Sequence, residues 1–229
     1  MKKLTVPLRQ YESIAGWTYL FIQLLILPVV LTMANMLLPE PLSETALNFV
    51  FFSLNFLSIV LIFHRFLGES FQQVIHAPFR ILKAAGVGYI LHYIGNILVS
   101  LLVVFLYPDF FNVNDSSIQS MTQDNFMLMS IATVFLVPPV EEVLYRGLIF
   151  RGLYNRSRAG AYIVSTLVFA AIHVVGYIGF YDPTLLLLCF VQYIPAGLCL
   201  GYAYASADTI WAPIFMHMAI NQMGISTMR

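Results

Sequence analysis

Charge-free stretches set the limits on what this chain can become. Between Glu12 and Glu40 lie 27 residues without Asp, Glu, Lys or Arg, and similar runs cover 45–64 (20 residues), 84–108 (25), 125–140 (16), 159–181 (23), 183–207 (25) and 209–228 (20). A hydrocarbon layer ~30 Å thick takes ~20 apolar residues as helix, so six runs reach spanning length and the seventh nearly does. Only 10% of the 229 residues are charged and 60% are hydrophobic, whereas a soluble domain carries about 25% charged residues. A water-soluble fold of this size could not hide so much apolar surface. The expected fold is all-α, a polytopic transmembrane helical bundle of about seven spans, or eight if one segment is split. It is read as one membrane-embedded domain over 1–229, with its polar motifs concentrated in 125–225.

The segments between spans alternate in charge. Lys2, Lys3 and Arg9 precede the first span, Arg65, Arg80 and Lys83 separate the second from the third, and Arg151, Arg156 and Arg158 follow the fourth. Glu40, Glu44, Asp109, Asp115, Asp124 and Asp182 occupy the other set of connections. Lys and Arg mark the cytoplasmic face, which places the N-terminus in the cytoplasm. Asp208 gives no basic signal, so the last turn is the weakest part of this topology. Residues 66–78 are only moderately apolar and suit an interfacial helix. Formal net charge is zero, so no polyanionic partner such as nucleic acid is suggested. Cys189 and Cys199 share one uncharged run and read as small buried residues rather than a disulfide. No cleavable signal peptide is evident.

The fourth span breaks the pattern. After FMLMSIATVFLVPPV come Glu141 and Glu142, then VLYRGLIF with Arg146. A charged residue at mid-helix costs ~2.5–3.5 kcal/mol on insertion scales. Pro138 and Pro139 kink the helix there and free backbone carbonyls. Two readings stand. The span could end at 140, leaving a plain Glu–Arg pair in a loop. Alternatively the helix continues, Glu142 and Arg146 pair at four-residue spacing, and Glu141, about 100° away, is free for chemistry. His173 in the fifth span and His217 with Asn221 in the seventh fall at similar depths, ~12–20 Å from the basic ends at 1.5 Å per residue. An intramembrane ionisable group is a functional candidate, although a lone His is as often a packed polar residue. His92 and Asn96 in the third span have the same spacing and depth; they either line a shared cavity or bond between helices. Gln192 reads as a helix-to-helix hydrogen bond, and His64 and His76 as interfacial.

At these residues the chain resembles the CAAX prenyl endopeptidase and bacteriocin-processing family of membrane proteases, also called CPBP or Abi. Glu141, Glu142 and Arg146 match its E-E-x-x-x-R element, Phe169 and His173 its F-x-x-x-H, and His217 and Asn221 its H-x-x-x-N, in order on successive apolar spans. The resemblance covers about 125–225. It implies an intramembrane endopeptidase with a cavity open to the cytoplasm. Glu141 would be the base that activates water, His173 would help hold that water, and His217 and Asn221 would stabilise the oxyanion. Glu142 and Arg146 would support the site as an ion pair. No cofactor is called for; if zinc were used, its ligands would be Glu141, His173 and His217. The metal-free mechanism is preferred.

The implied partners are the lipid bilayer and a peptide or lipidated-peptide substrate: a bacteriocin or pheromone precursor, or a prenylated CAAX tail. The length and the lack of eukaryotic targeting signals point to a bacterial plasma membrane, whereas a eukaryotic prenyl protease would sit in the ER. Two other classes fit the buried Glu/His cluster: a transporter or channel with a proton or cation path, and a non-catalytic bacteriocin-immunity protein.

Overall fold

The computed structural model describes residues 4–228, so Lys2 and Lys3 of the basic N-terminus lie outside it. Among the described residues nine helices follow one another: α1 Gln10–Met36, α2 Glu44–Ile62, α3 His64–His76, α4 Pro78–Leu106, α5 Val113–Asp124, α6 Phe126–Tyr154, α7 Arg158–Val175, α8 Pro183–Ala207 and α9 Trp211–Thr227. Six of them (α1, α2, α4, α6, α7 and α8) are long and apolar enough to cross a membrane. The seventh expected span is α9, which is 17 residues long. The fold is the expected polytopic helical bundle. The segment read as interfacial is α3, which buries Phe66, Leu67 and Ser70 and leaves His64 and His76 exposed. The acidic connection after the third span, by contrast, holds a helix of its own, α5, capped by the Asn112 side chain.

The bundle is built around α6. Every residue from Val143 to Phe150 is buried, whereas α4 buries only Ile81, Ala84, Gly88 and Val103 and turns its leucines outward. A helix that must carry Glu and Arg at membrane depth takes the centre; one that carries only apolar side chains can face lipid. The short polar caps expected at spanning helices are present: Asn125 accepts from Leu128 N–H, Ser157 from Gly160 N–H and Asp182 from Thr184 N–H.

One end of the bundle holds Arg9, Arg65, Arg151 and Arg158 and is packed shut. Thr5 donates through its N–H and hydroxyl to the Asp208 carboxylate at 2.8 and 2.9 Å, and Arg151 donates to Val6 O at 2.7 Å. Trp211 Nε1 and the Thr209 hydroxyl donate to Leu67 O and Ser70 O on α3. The buried Glu12 carboxylate accepts from Phe66 N–H and Arg9 N–H at 2.9 and 2.8 Å. Asp208 ends α8 in the left-handed conformation, φ 59°, which Asp tolerates better than most residues. Its contact with Thr5 brings the end of α8 beside the N-terminal segment. This fixes the topology that the charges near Asp208 left open: α9 starts at the basic end and finishes at the acidic one.

Packing of α7 on α8 depends on the lack of a side chain at Gly197. A Cβ there would stand 2.7 Å from Thr166 Cγ2 and 3.0 Å from Thr166 Cα. Thr166 Cα and Cβ stand in the way as well as the methyl, so a side-chain rotation would not clear the contact and the helices would have to separate. Small residues at such crossings are how membrane helices approach closely. Gly197→Ala is expected to lower stability by about 1–3 kcal/mol, the usual effect of overpacking. An unchanged melting temperature in detergent would contradict this contact.

Candidate active site

The site begins with two prolines. Pro138 has no N–H and its ring crowds the carbonyl one turn back, and the helix widens just before it, so that Val137 N–H bonds to Ala132 O five residues earlier. Thr133 O therefore loses Val137 as its α-helical partner, and the next residue is Pro138, which cannot donate. The Asn221 carboxamide on α9 fills the gap, donating to Thr133 O at 2.8 Å. A second widened stretch, Val143–Phe150, follows the acids directly; such π-type turns recur at functional sites. The fourth span thus continues through Glu141 and Glu142 and does not end at 140.

The two glutamates point to different places. Glu142 is fully buried. Its Oε1 accepts from Arg146 Nη1 at 3.0 Å and from His217 Nδ1 at 2.8 Å. Arg146, also fully buried, donates its other terminal nitrogen to Gly197 O at 3.2 Å and lies 4.3 Å from the Phe169 ring centre. Carboxylate, carbonyl and aromatic face border the guanidinium, as a buried charge at this depth requires, while its Nε–H is buried without a hydrogen-bond partner. Glu141 instead lines a cavity, and its Oε2 has no hydrogen-bond partner in the protein.

Two imidazoles face that free oxygen. His173 Nε2 and His217 Nε2 each lie 4.0 Å from Glu141 Oε2. The tautomers follow from the other ring nitrogens. His173 Nδ1 is 2.7 Å from Phe169 O, which only accepts, so Nδ1 carries the proton. His217 Nδ1 faces the Glu142 carboxylate in the same way. In its neutral form each ring therefore turns an Nε2 lone pair toward Glu141. Three acceptors without a donor between them suit a guest that brings protons or positive charge.

The donor set is acceptable for zinc by type, but not by spacing. Two ligand atoms of a tetrahedral zinc stand about 3.4 Å apart, less than the 4.0 Å separations found here. Among the described residues, no group of three or more His, Cys, Asp or Glu is arranged to hold a metal ion. A water at about 2.8 Å from both atoms bridges such a gap with an angle of about 90° at its oxygen.

The cavity has a volume of about 720 Å³ and no Lys or Arg in its lining. It runs from Glu141, His173 and His217 toward the acidic end, where Glu44, Asn112, Asn114 and Asp115 border it. At the basic end, α3 and the contacts of Thr5, Val6 and Trp211 described above close off this cavity.

Sequence reasoning missed Tyr193 and the helix above it. The Tyr193 ring stacks on His173 with centres 4.1 Å apart, while Phe169 covers the imidazole at 4.6 Å. The Tyr193 hydroxyl donates to Asp115 at 3.1 Å and accepts from Asn114 Nδ2 at 3.1 Å. Burial pushes the Asp115 carboxyl above the usual carboxylate range, and the Tyr193 hydrogen bond opposes that. No local pattern around Tyr193 marks it, because its partners come from the acidic connection after the third span. Gln192 makes the interhelical bonds expected of it, to Ser100 and Asn112. His92 and Asn96 line the cavity.

Residues 123–223 match the family model described as type II CAAX prenyl endopeptidase Rce1-like. The chain is also 32% identical over 97 residues to "Putative membrane peptidase YdiL" of Bacillus subtilis (strain 168), a match covering 41% of this chain and 34% of that relative. The chain thus spans about a third of the length of the curated relative it matches. No solved structure matches it. Glu141, Glu142, Arg146, His173, His217 and Asn221 all fall within the matched residues, so the part of the chain that builds this site is similar to the Rce1-like family.

Proposed function

We propose that this integral membrane protein is an endopeptidase that hydrolyses a peptide bond inside the bilayer with a water activated by Glu141. The observation that carries this reading is the convergence of Glu141 Oε2 and two imidazole Nε2 atoms, each 4.0 Å away, on one wall of the cavity. The water sits among them. Glu141 takes one of its protons, a ring Nε2 holds the other, and the oxygen attacks the carbonyl carbon of the substrate. Glu141 then returns its proton to the leaving nitrogen, the C–N bond breaks, and the products are a carboxylic acid and an amine.

His217 and Asn221 stabilise the oxyanion in this scheme. Asn221 is anchored by one N–H on Thr133 O, which leaves the second for the oxyanion. His217 donates from Nε2 only when it carries both ring protons, because Nδ1–H is held by Glu142. A donor fixed in advance, as the Asn221 amide is, is worth ~3–4 kcal/mol at a dry site. Since Lys and Arg mark the basic end as cytoplasmic, the cavity receives its substrate from the opposite face.

The test is cleavage of a quenched peptide panel by purified protein in detergent. The wild type is expected to cut at least one member, and to keep cutting after prolonged treatment with a strong chelator. Activity lost on chelation and restored by zinc would overturn the metal-free mechanism. A protein that cuts nothing but conducts protons in liposomes would overturn the peptidase.

A further inference from the structure

The cavity holds two His-x-x-x-Asn pairs, and only one is engaged. On α9, His217 donates to Glu142 and Asn221 to Thr133 O. On α4, His92 and Asn96 line the same cavity, His92 Nδ1 is buried without a partner, and the Asn96 carboxamide makes no hydrogen bond among the described residues. The two helices pack closely: a Cβ at Gly88 would stand 2.8 Å from Met216 Sδ. His92 is one turn beyond Gly88, about 6 Å along the axis. Since Met216 precedes His217, the free pair sits roughly one turn from the water site, toward the acidic end.

A free imidazole and a free carboxamide on one helical face, beside Tyr89 and Tyr93 in the cavity wall, are costly at membrane depth unless something pairs with them. Both groups offer a donor and an acceptor, and so does a peptide unit. A hydrocarbon or isoprenoid chain offers neither. We infer that His92 and Asn96 form a substrate subsite that hydrogen-bonds the backbone of an extended peptide beside the scissile bond. This inference rests on the endopeptidase reading.

The experiment uses the full chain and the panel peptide that the wild type cleaves. Asn96→Leu and His92→Phe are expected to lower kcat/KM about 3- to 10-fold each, the effect of losing one neutral hydrogen bond. Replacing single backbone amides of the peptide by esters removes one N–H at a time. One ester near the cleaved bond should slow the wild type by a similar factor and slow Asn96→Leu no further. Variants that cut like the wild type, or ester penalties identical in both proteins, would overturn the subsite while leaving the peptidase intact. Fluorescence polarisation of the labelled panel on uncut protein decides the matter without turnover. Binding weakened by Asn96→Leu supports the subsite even if nothing is cleaved, whereas unaltered binding or no binding overturns it.

Discussion

Glu141→Gln is expected to abolish peptide cleavage, lowering kcat by about 10²–10⁴-fold, the range for loss of a positioned general base. Gln keeps the size of the side chain and its place in the cavity but cannot accept the water proton. Glu141 Oε2 bonds to no other protein group, so the substitution breaks no structural hydrogen bond there and the melting temperature should hold. That pairing of outcomes is the sharp part. A variant that neither cuts nor folds would say little about chemistry, and a folded variant that still cuts would remove Glu141 from the mechanism.

Arg146→Leu is expected to do the opposite, damaging the fold first. It leaves Glu142 buried with His217 as its one remaining partner, and stranding one member of a buried ion pair typically costs about 3–5 kcal/mol. Loss of monodisperse protein in detergent, or a large fall in melting temperature, is the readout. The double variant Glu142→Leu with Arg146→Met removes both charges and should recover much of the stability, since apolar replacements of a buried pair are often tolerated. It should not recover cleavage, because His217 then has no carboxylate to hold its Nδ1 proton. Arg146→Leu as stable as the wild type would contradict the role of the pair.

The bundle was legible because spanning helices announce themselves: charge-free runs of ~20 residues have few alternatives in lipid. Glu141, His173 and His217 could be matched for depth by counting along helices, since rise per residue is fixed. Facing direction was not legible. Counting could not tell that Glu142 turns inward to Arg146 while Glu141 turns to the cavity, nor that His92 faces the same space. The α5 helix was hidden for a different reason. It is short and polar, and its start depends on an Asn112 cap and on Tyr193 from a distant helix.

Asn221 and Pro138 are joined through a carbonyl that belongs to neither. The imino acid withholds a proton that an ordinary helix would supply, and the amide on another helix makes good the lack. An exchange at either position alone leaves a mismatch, an orphaned oxygen in one case and a redundant donor in the other. Over evolutionary time a chain that loses the ring at 138 should no longer need the amide at 221 to complete the helix, and only the part played toward the oxyanion would keep it there.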